Sequence, residues 1–241
     1  MGNNTSITEH KRHYYRELLC IGVPIIIGQL GTIILGFADT LMIGHHSTEE
    51  LAAAGLVNNI ITFILVSYMG FSYGLTPIIG KLYGMEKTDK IGQKVKNSFF
   101  ANMVVGVIFS LALIILYFNL HRIGQPEELL ALIRPYFIVN LISVLFVGVF
   151  NTLKQFLDGI GNTKVAMWVM IMGNIVNIFG NWVLIYGVGP CPEMGLLGAG
   201  ISTLASRVLM AVAMVGIIAV TKEYRDCLLY TSPSPRDKRQ S

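Results

Sequence analysis

Charge is what this sequence has least of. Only 13% of its 241 residues are Asp, Glu, Lys or Arg, about half the share of a soluble domain. At 53% hydrophobic, it carries more apolar surface than one water-facing core can hide. A net charge of +4, dispersed along the chain, excludes a nucleic-acid binder, so no nucleic-acid partner is expected. Cysteine is scarce as well. Cys20, Cys191 and Cys227 show no CxxC or Cys/His spacing, which leaves no metal site. Cys20 and Cys191 are expected at opposite membrane faces, without a disulfide. Enzyme signatures are missing: there is no HExxH, no GxSxG and no Walker loop. An intramembrane aspartyl protease needs two facing carboxylates, whereas Asp39 and Asp158 fall at opposite sides of the membrane. The chain is read as a non-enzyme without a cofactor. No cleavable signal peptide is visible, because the first apolar run is too long and contains an acid. It reads as an uncleaved signal anchor.

What the sequence does hold is six long apolar runs, at residues 18–43, 51–79, 99–120, 133–157, 165–186 and 196–220. At about 1.5 Å per residue, runs of this length cross a hydrocarbon core of roughly 30 Å. The expected fold is all-α, a polytopic bundle of six transmembrane helices. Before it stands a polar arm, residues 1–17, amphipathic or disordered. Between the first two runs, Ser47 or Thr48 can cap a helix whose first turn carries Glu49 and Glu50. In the second run, Gly70 and Gly74 form a GxxxG pair that admits a neighbouring helix, and Pro77 ends or bends it. In the sixth, Gly198, Ser202 and Ser206 form a small-residue face.

Lys and Arg settle the orientation. The arm carries Lys11, Arg12 and Arg16, and the loop after the second run carries Lys81, Lys87, Lys90, Lys94 and Lys96. Lys154, Lys164, Lys222 and Arg225 add to that side, against only Arg122 and Arg134 on the other. The positive-inside rule then puts both termini in the cytoplasm. Arg207 alone is assigned to the inside of a span, and is expected to snorkel or to pair with a helix-end carbonyl.

Asp39 is the residue the first run must explain. A carboxylate near mid-membrane costs roughly 2.5–3.5 kcal/mol on insertion scales. That cost has to be offset, or the group must be neutral part of the time. Gln29, Thr32, Gly36 and Asp39 share one helical face. Intramembrane acids are functional by default; the bland alternative is an acid at the span end that reaches water. In the fifth run, Asn174, Asn177 and Asn181 also share a face. Amides in hydrocarbon need partners, so this face should look inward. With Asp39 the three asparagines would form a polar site, or they glue helices together. Asn140, Asn151 and Gln155 read as structural. Tyr68, Tyr73, Tyr136 and Phe residues read as core or interface anchors, or as the lining of a cavity for flat apolar cations; the eleven methionines suit a promiscuous pocket or serve as lipid-facing filler.

Several segments resemble the multidrug and toxic compound extrusion (MATE) transporters: PIIIGQLGTIILGFADTLMIG, LAAAGLVNN, GLTPIIGKLYG, LKQFLDGIGNTK and GNIVNIFGNWVLIYG. The resemblance implies one six-helix lobe, the N-terminal one, of a twelve-helix transporter whose C-terminal lobe is missing here. It places the family's first-helix acid on Asp39, its bending proline on Pro24 and its fifth-helix polar pair on Asn177 and Asn181. Some members carry an acid at the latter position, so Asn181 leaves Asp39 without a second carboxylate there. The implied activity is antiport driven by H⁺ or Na⁺. It would export organic cations or amphipathic drugs across the cell (inner) membrane, with Asp39, Asn177, Asn181, Asn174 and Gln29 as the coupling and substrate residues. A related flippase for lipid-linked sugars or peptidoglycan precursors, or a non-transporting membrane fragment, are the alternatives. The end of the chain is different. Residues 227–237 (CLLYTSPSPRD) resemble a translated sequencing-library adapter. Residues 227–241 are therefore expected to be foreign to the gene and free of contacts with the helices.

Overall fold

Helices dominate the computed structural model, which describes residues 2–229, with side chains from 15 to 228. The order is α1 (Gly2–His46), α2 (Thr48–Tyr73), α3 (Leu75–Gly84), α4 (Ile91–Phe118), α5 (Glu127–Gly159), α6 (Thr163–Tyr186), α7 (Gly195–Val220) and α8 (Lys222–Leu229). Short 3-10 turns at Thr88–Lys90 and Leu120–Ile123 lead into and out of α4. With α2 and α3 taken as one span, six segments among the described residues are long and apolar enough to cross a membrane. The chain is a multi-pass membrane protein.

Local chemistry sets most of these boundaries. Ser47 caps α2, its hydroxyl accepting from the amides of Glu49 and Glu50 at 3.2 and 3.4 Å, and both glutamates favour the positive end of the helix dipole. The break between α2 and α3 is the work of Pro77. Its ring lacks an N–H and crowds the carbonyl four residues back, at Tyr73, where α2 stops. Gly70, expected with Gly74 to admit a neighbouring helix, has no neighbour within 4 Å of where a Cβ would stand. The arm runs into the first span. No Gly or Pro punctuates residues 3–21, and residues 2–17 continue α1 without a break.

Contacts run in a chain: α1 packs on α6, α6 on α7, α7 on α5, and α5 on α2 and α4. Two apolar clusters close the ends of the bundle. One gathers Ile43, Val57, Ile61, Leu113, Phe137 and Ile185. The other gathers Ile79, Ile91, Phe156, Leu157, Met214 and Ile218. Between them lies a layer of buried polar groups that includes Asn102, Asn140, Ser143, Asn151, Asn177, Asn181 and Ser206. The outer surface is the reverse: Ile33, Phe37, Phe63, Phe100 and Ile115 are all exposed, as a hydrocarbon solvent permits. Small residues bring the polar helices together. A Cβ at Gly180 would meet Ser202, one at Gly198 the backbone of Leu184, and one at Gly173 the side chain of Met210. This is the small-residue face read from α7. α8 lies against α4 and α7. Cys227 and Leu228, expected to be free of contacts, pack on the second cluster. The remainder of the suspected foreign tail, residues 230–241, lies outside the described residues.

Candidate functional site

Asp39 meets the asparagine face of α6. Asn181 Nδ2 donates to Asp39 Oδ1 at 2.6 Å and to Asn177 Oδ1 at 3.1 Å. Asn177 Nδ2 in turn donates to Thr203 Oγ1 at 3.2 Å and Ser206 Oγ at 3.3 Å. With its amide turned over, Asn177 Nδ2 lies 3.1 Å from Asp39 Oδ1, so both amides reach the same carboxylate oxygen. Ser202 completes the seam by donating to the Asn177 carbonyl at 2.8 Å. One helical turn apart on α6, Asn177 and Asn181 thus tie α1 to α7. They hold the helices together and form a buried polar cluster beside Asp39. Asn181 Oδ1 is buried without a partner among the described residues, so the cluster keeps one acceptor to spare there.

Asn174 and Gln29 stand apart from this cluster. They line an adjoining cavity of about 180 Å³, whose walls also include Thr32, Asn151, Lys154 and Arg207. The Asn174 Nδ2 atom is buried without a partner among the described residues. It sits 3.0 Å from where a Cβ on Gly31 would be, so glycine there lets the amide lie close against α1. Pro24 is buried inside the uninterrupted helix α1, fifteen residues before Asp39, or about 22 Å along the axis at 1.5 Å per residue.

Sequence reasoning missed several polar neighbours. Arg207 does not reach a helix end. Its Nη1 donates to Ser143 Oγ on α5 at 2.5 Å, and it attracts Asp39 electrostatically from across the interior. Tyr136, close enough to feel both charges, donates from its hydroxyl to Asn58 Oδ1 at 2.9 Å. Lys154, assigned to a loop, lies buried inside α5, with Nζ 2.5 Å from Asp158 Oδ2. The signal was available for Arg207: it follows Thr203 by four residues and shares the face that meets Asn177. Among the described residues no group of His, Cys, Asp and Glu side chains is arranged to hold a metal ion.

Known proteins share this fold. The MatE family profile matches residues 24–183. The chain is 32% identical over 210 residues to the probable multidrug resistance protein NorM of Photorhabdus laumondii, covering 87% of this chain and 46% of that protein. It is 27% identical over 233 residues to the multidrug resistance protein NorM of Photobacterium profundum, covering 93% and 50%. Among solved structures it resembles a MOP superfamily transporter from Pyrococcus furiosus, with a TM-score of 0.78, 22% identity, and coverage of 92% of this chain and 47% of that one. The outward-facing conformation of a multidrug resistance MATE family transporter gives 0.78, 23%, 92% and 47%. At such identities the structural likeness shows the fold alone. The chain spans about half the length of the curated relatives it matches, as one six-helix lobe of a two-lobe transporter would. The profile match and the shared fold place the chain in the MatE family, the multidrug and toxic compound extrusion transporters.

Proposed function

We propose that this chain is the N-terminal lobe of a cation-coupled antiporter that exports organic cations and amphipathic drugs, driven by H⁺ or Na⁺. The observation that carries the reading is the inward-facing cluster of Asp39, Asn177 and Asn181. A carboxylate held within a bundle and met by two amides is an expensive arrangement in a membrane. A spare buried acceptor on Asn181 suits a small cation better than a saturated structural network does, since hard cations take oxygen ligands. In the antiport reading, Asp39 alternates between the coupling ion and the cationic substrate. Neutralising its charge from one side releases what it held on the other, and the two lobes rock about the cleft between them. Pro24, which leaves the Cys20 carbonyl without its helical donor, is the hinge in this reading. Both termini face the cytoplasm by the Lys and Arg asymmetry.

The test uses the complete gene product in sealed vesicles. An imposed Na⁺ or H⁺ gradient should drive efflux of a fluorescent organic cation, and comparing the gradients identifies the ion. Movement that is indifferent to both gradients would sink the reading. A flippase for lipid-linked sugars stays as the second reading because Arg207 and Lys154 both turn inward, and cationic cavity residues suit a diphosphate-linked lipid. Transfer of a labelled lipid-linked sugar without cation efflux would favour it. Residues 227–241 are proposed to be foreign to the gene, on the strength of their sequence.

A further inference from the structure

Arg207 is a cation without an acid. Its one hydrogen bond among the described residues goes to a neutral hydroxyl, that of Ser143. No carboxylate among them forms an ion pair with it. Asp39 attracts it from farther away and is itself held by Asn181. A guanidinium has five N–H donors in a fixed fork, so most of its capacity is unspent. Inside a membrane bundle an unpaired charge is costly. Evolution normally removes such a residue, pairs it, or uses it.

The cavity beside Arg207 is rich in donors. Lys154 contributes an ammonium whose bond to Asp158 leaves two of its three protons. Asn174 contributes a buried Nδ2 that has no partner among the described residues. The opposite walls are soft and apolar, with Met69, Phe150, Met170 and Met210 among them. At about 180 Å³ the space equals roughly six water molecules at about 30 Å³ each, enough for a small ring and one headgroup. No carboxylate among the described residues lines it.

We propose that this cavity is an anion-accepting subsite: Arg207, assisted by Lys154 and Asn174, receives the carboxylate or sulfonate of an amphipathic molecule whose ring lies against the methionines. Arg supplies the planar fork that matches such groups bidentately. Methionine supplies an adaptable apolar wall. The inference deepens the transport reading and rests on it for the role of the ligand as cargo. It adds a requirement that cation selectivity alone does not contain. A preferred substrate carries an anionic group near Arg207 in addition to any positive group that approaches Asp39. An anionic lipid headgroup presents the same chemistry.

The test is binding rather than transport. The full chain is placed in phosphatidylcholine nanodiscs and titrated calorimetrically with naphthoate, and with its isosteres naphthylmethanol and naphthylmethylammonium. Empty discs are subtracted. Naphthoate should bind at least about tenfold tighter than the neutral alcohol, the equivalent of one charge-assisted hydrogen bond. Arg207→Gln should erase that preference, and Arg207→Lys should keep part of it. Naphthoate binding no better than the alcohol overturns the proposal in the wild-type chain alone. So does an unchanged preference in a folded Arg207→Gln. Should that variant fail to fold, Asn174→Asp sets a carboxylate in the same cavity and must abolish the preference. Discs of phosphatidylglycerol separate the two sources. Naphthoate displaced there identifies a lipid headgroup as the occupant, and naphthoate retained identifies a soluble amphipath. Anion preference without gradient-driven efflux would leave this site standing while the antiport reading fell; efflux without anion preference would do the opposite.

Discussion

Replacing Asp39 with Asn in the complete gene product separates three roles for the residue. The 2.6 Å bond from Asn181 ends on a charged oxygen, and such bonds contribute about 1.5–3 kcal/mol. The variant keeps an acceptor at the same place, so a neutral bond of about 1 kcal/mol replaces it. The loss is then about 0.5–2 kcal/mol. Against it stands the cost of a carboxylate in hydrocarbon, roughly 2.5–3.5 kcal/mol on insertion scales, most of which the amide avoids. The two effects oppose each other and the second is at least as large. Asp39→Asn should therefore insert and accumulate as well as the parent protein, or slightly better. Transport should not survive, because the amide can hold neither a proton nor a full countercharge for a cationic substrate. The assay is efflux of a fluorescent cation across an imposed gradient, with membrane protein quantified in parallel. Normal protein level with no efflux is the expected result. Undiminished efflux would refute the reasoning by removing Asp39 from the mechanism. Loss of the protein from the membrane would show that the bond to Asn181 is a structural anchor whose energy is underestimated here.

A Cβ at Gly148 would overlap the Tyr68 hydroxyl, which donates to the Asn102 carbonyl at 2.8 Å from a ring with 0% exposure. Gly148→Ala should cost about 1–3 kcal/mol by overpacking, read as a lowered melting temperature in detergent; Tyr68→Phe in the same chain should restore part of it, and no rescue would mean that the hydroxyl is not the obstacle. In a cysteine-free background, Asp89→Cys should resist a membrane-impermeant thiol reagent applied outside the cell, and labelling there would invert the topology. Deleting residues 230–241 should leave membrane level and melting temperature unchanged, since a foreign tail has no evolved partners; a clear drop in either would mark the segment as native.

The six spans were legible because apolar runs of membrane length leave little ambiguity. The cluster at Asp39 was legible from phase alone: the positions of Asp39 on α1 and of Asn177 and Asn181 on α6 have to face inward if their polar atoms are to find partners. Partner identity was not legible. Nothing in the periodicity of α6 says that Asn177 and Asn181 join Asp39 while Asn174, on the same face, turns to a separate cavity with Gln29. That division depends on where α7 brings Thr203 and Ser206, and on Gly31 letting α1 close over Asn174. The GxxxG pair in the second run misled because a motif describes what a backbone permits, while Pro77 decided what it did. Lys154 was counted with the loop although it lies within the apolar run that ends at Leu157; α5 carries that run to Gly159, and pairing with Asp158 lets the ammonium stay inside.

Arg207 shows how helix length alone limits a reading. It sits at the midpoint of a helix of 26 residues, so each end lies about 19 Å away at 1.5 Å per residue. No arginine side chain spans that distance, so neither snorkelling nor a helix-end carbonyl was open to it. Its charge had to be answered within the lobe. Deep in the bundle, Asp39 and Asp158 balance Lys154 and Arg207, but only Lys154 and Asp158 are directly bonded. Arg207 and Asp39 attract each other without touching. Neutralising Asp39 with a proton or Na⁺ therefore leaves Arg207 the uncompensated charge of the interior and strengthens its demand for an anion. Under the proposed mechanism, the ion that expels a cationic group from Asp39 also tightens the hold on an anionic group at Arg207. The two sites are then coupled through charge alone, with no conformational relay between them. By reciprocity of binding free energies, an anion held at Arg207 must in turn favour the ion-loaded state of Asp39.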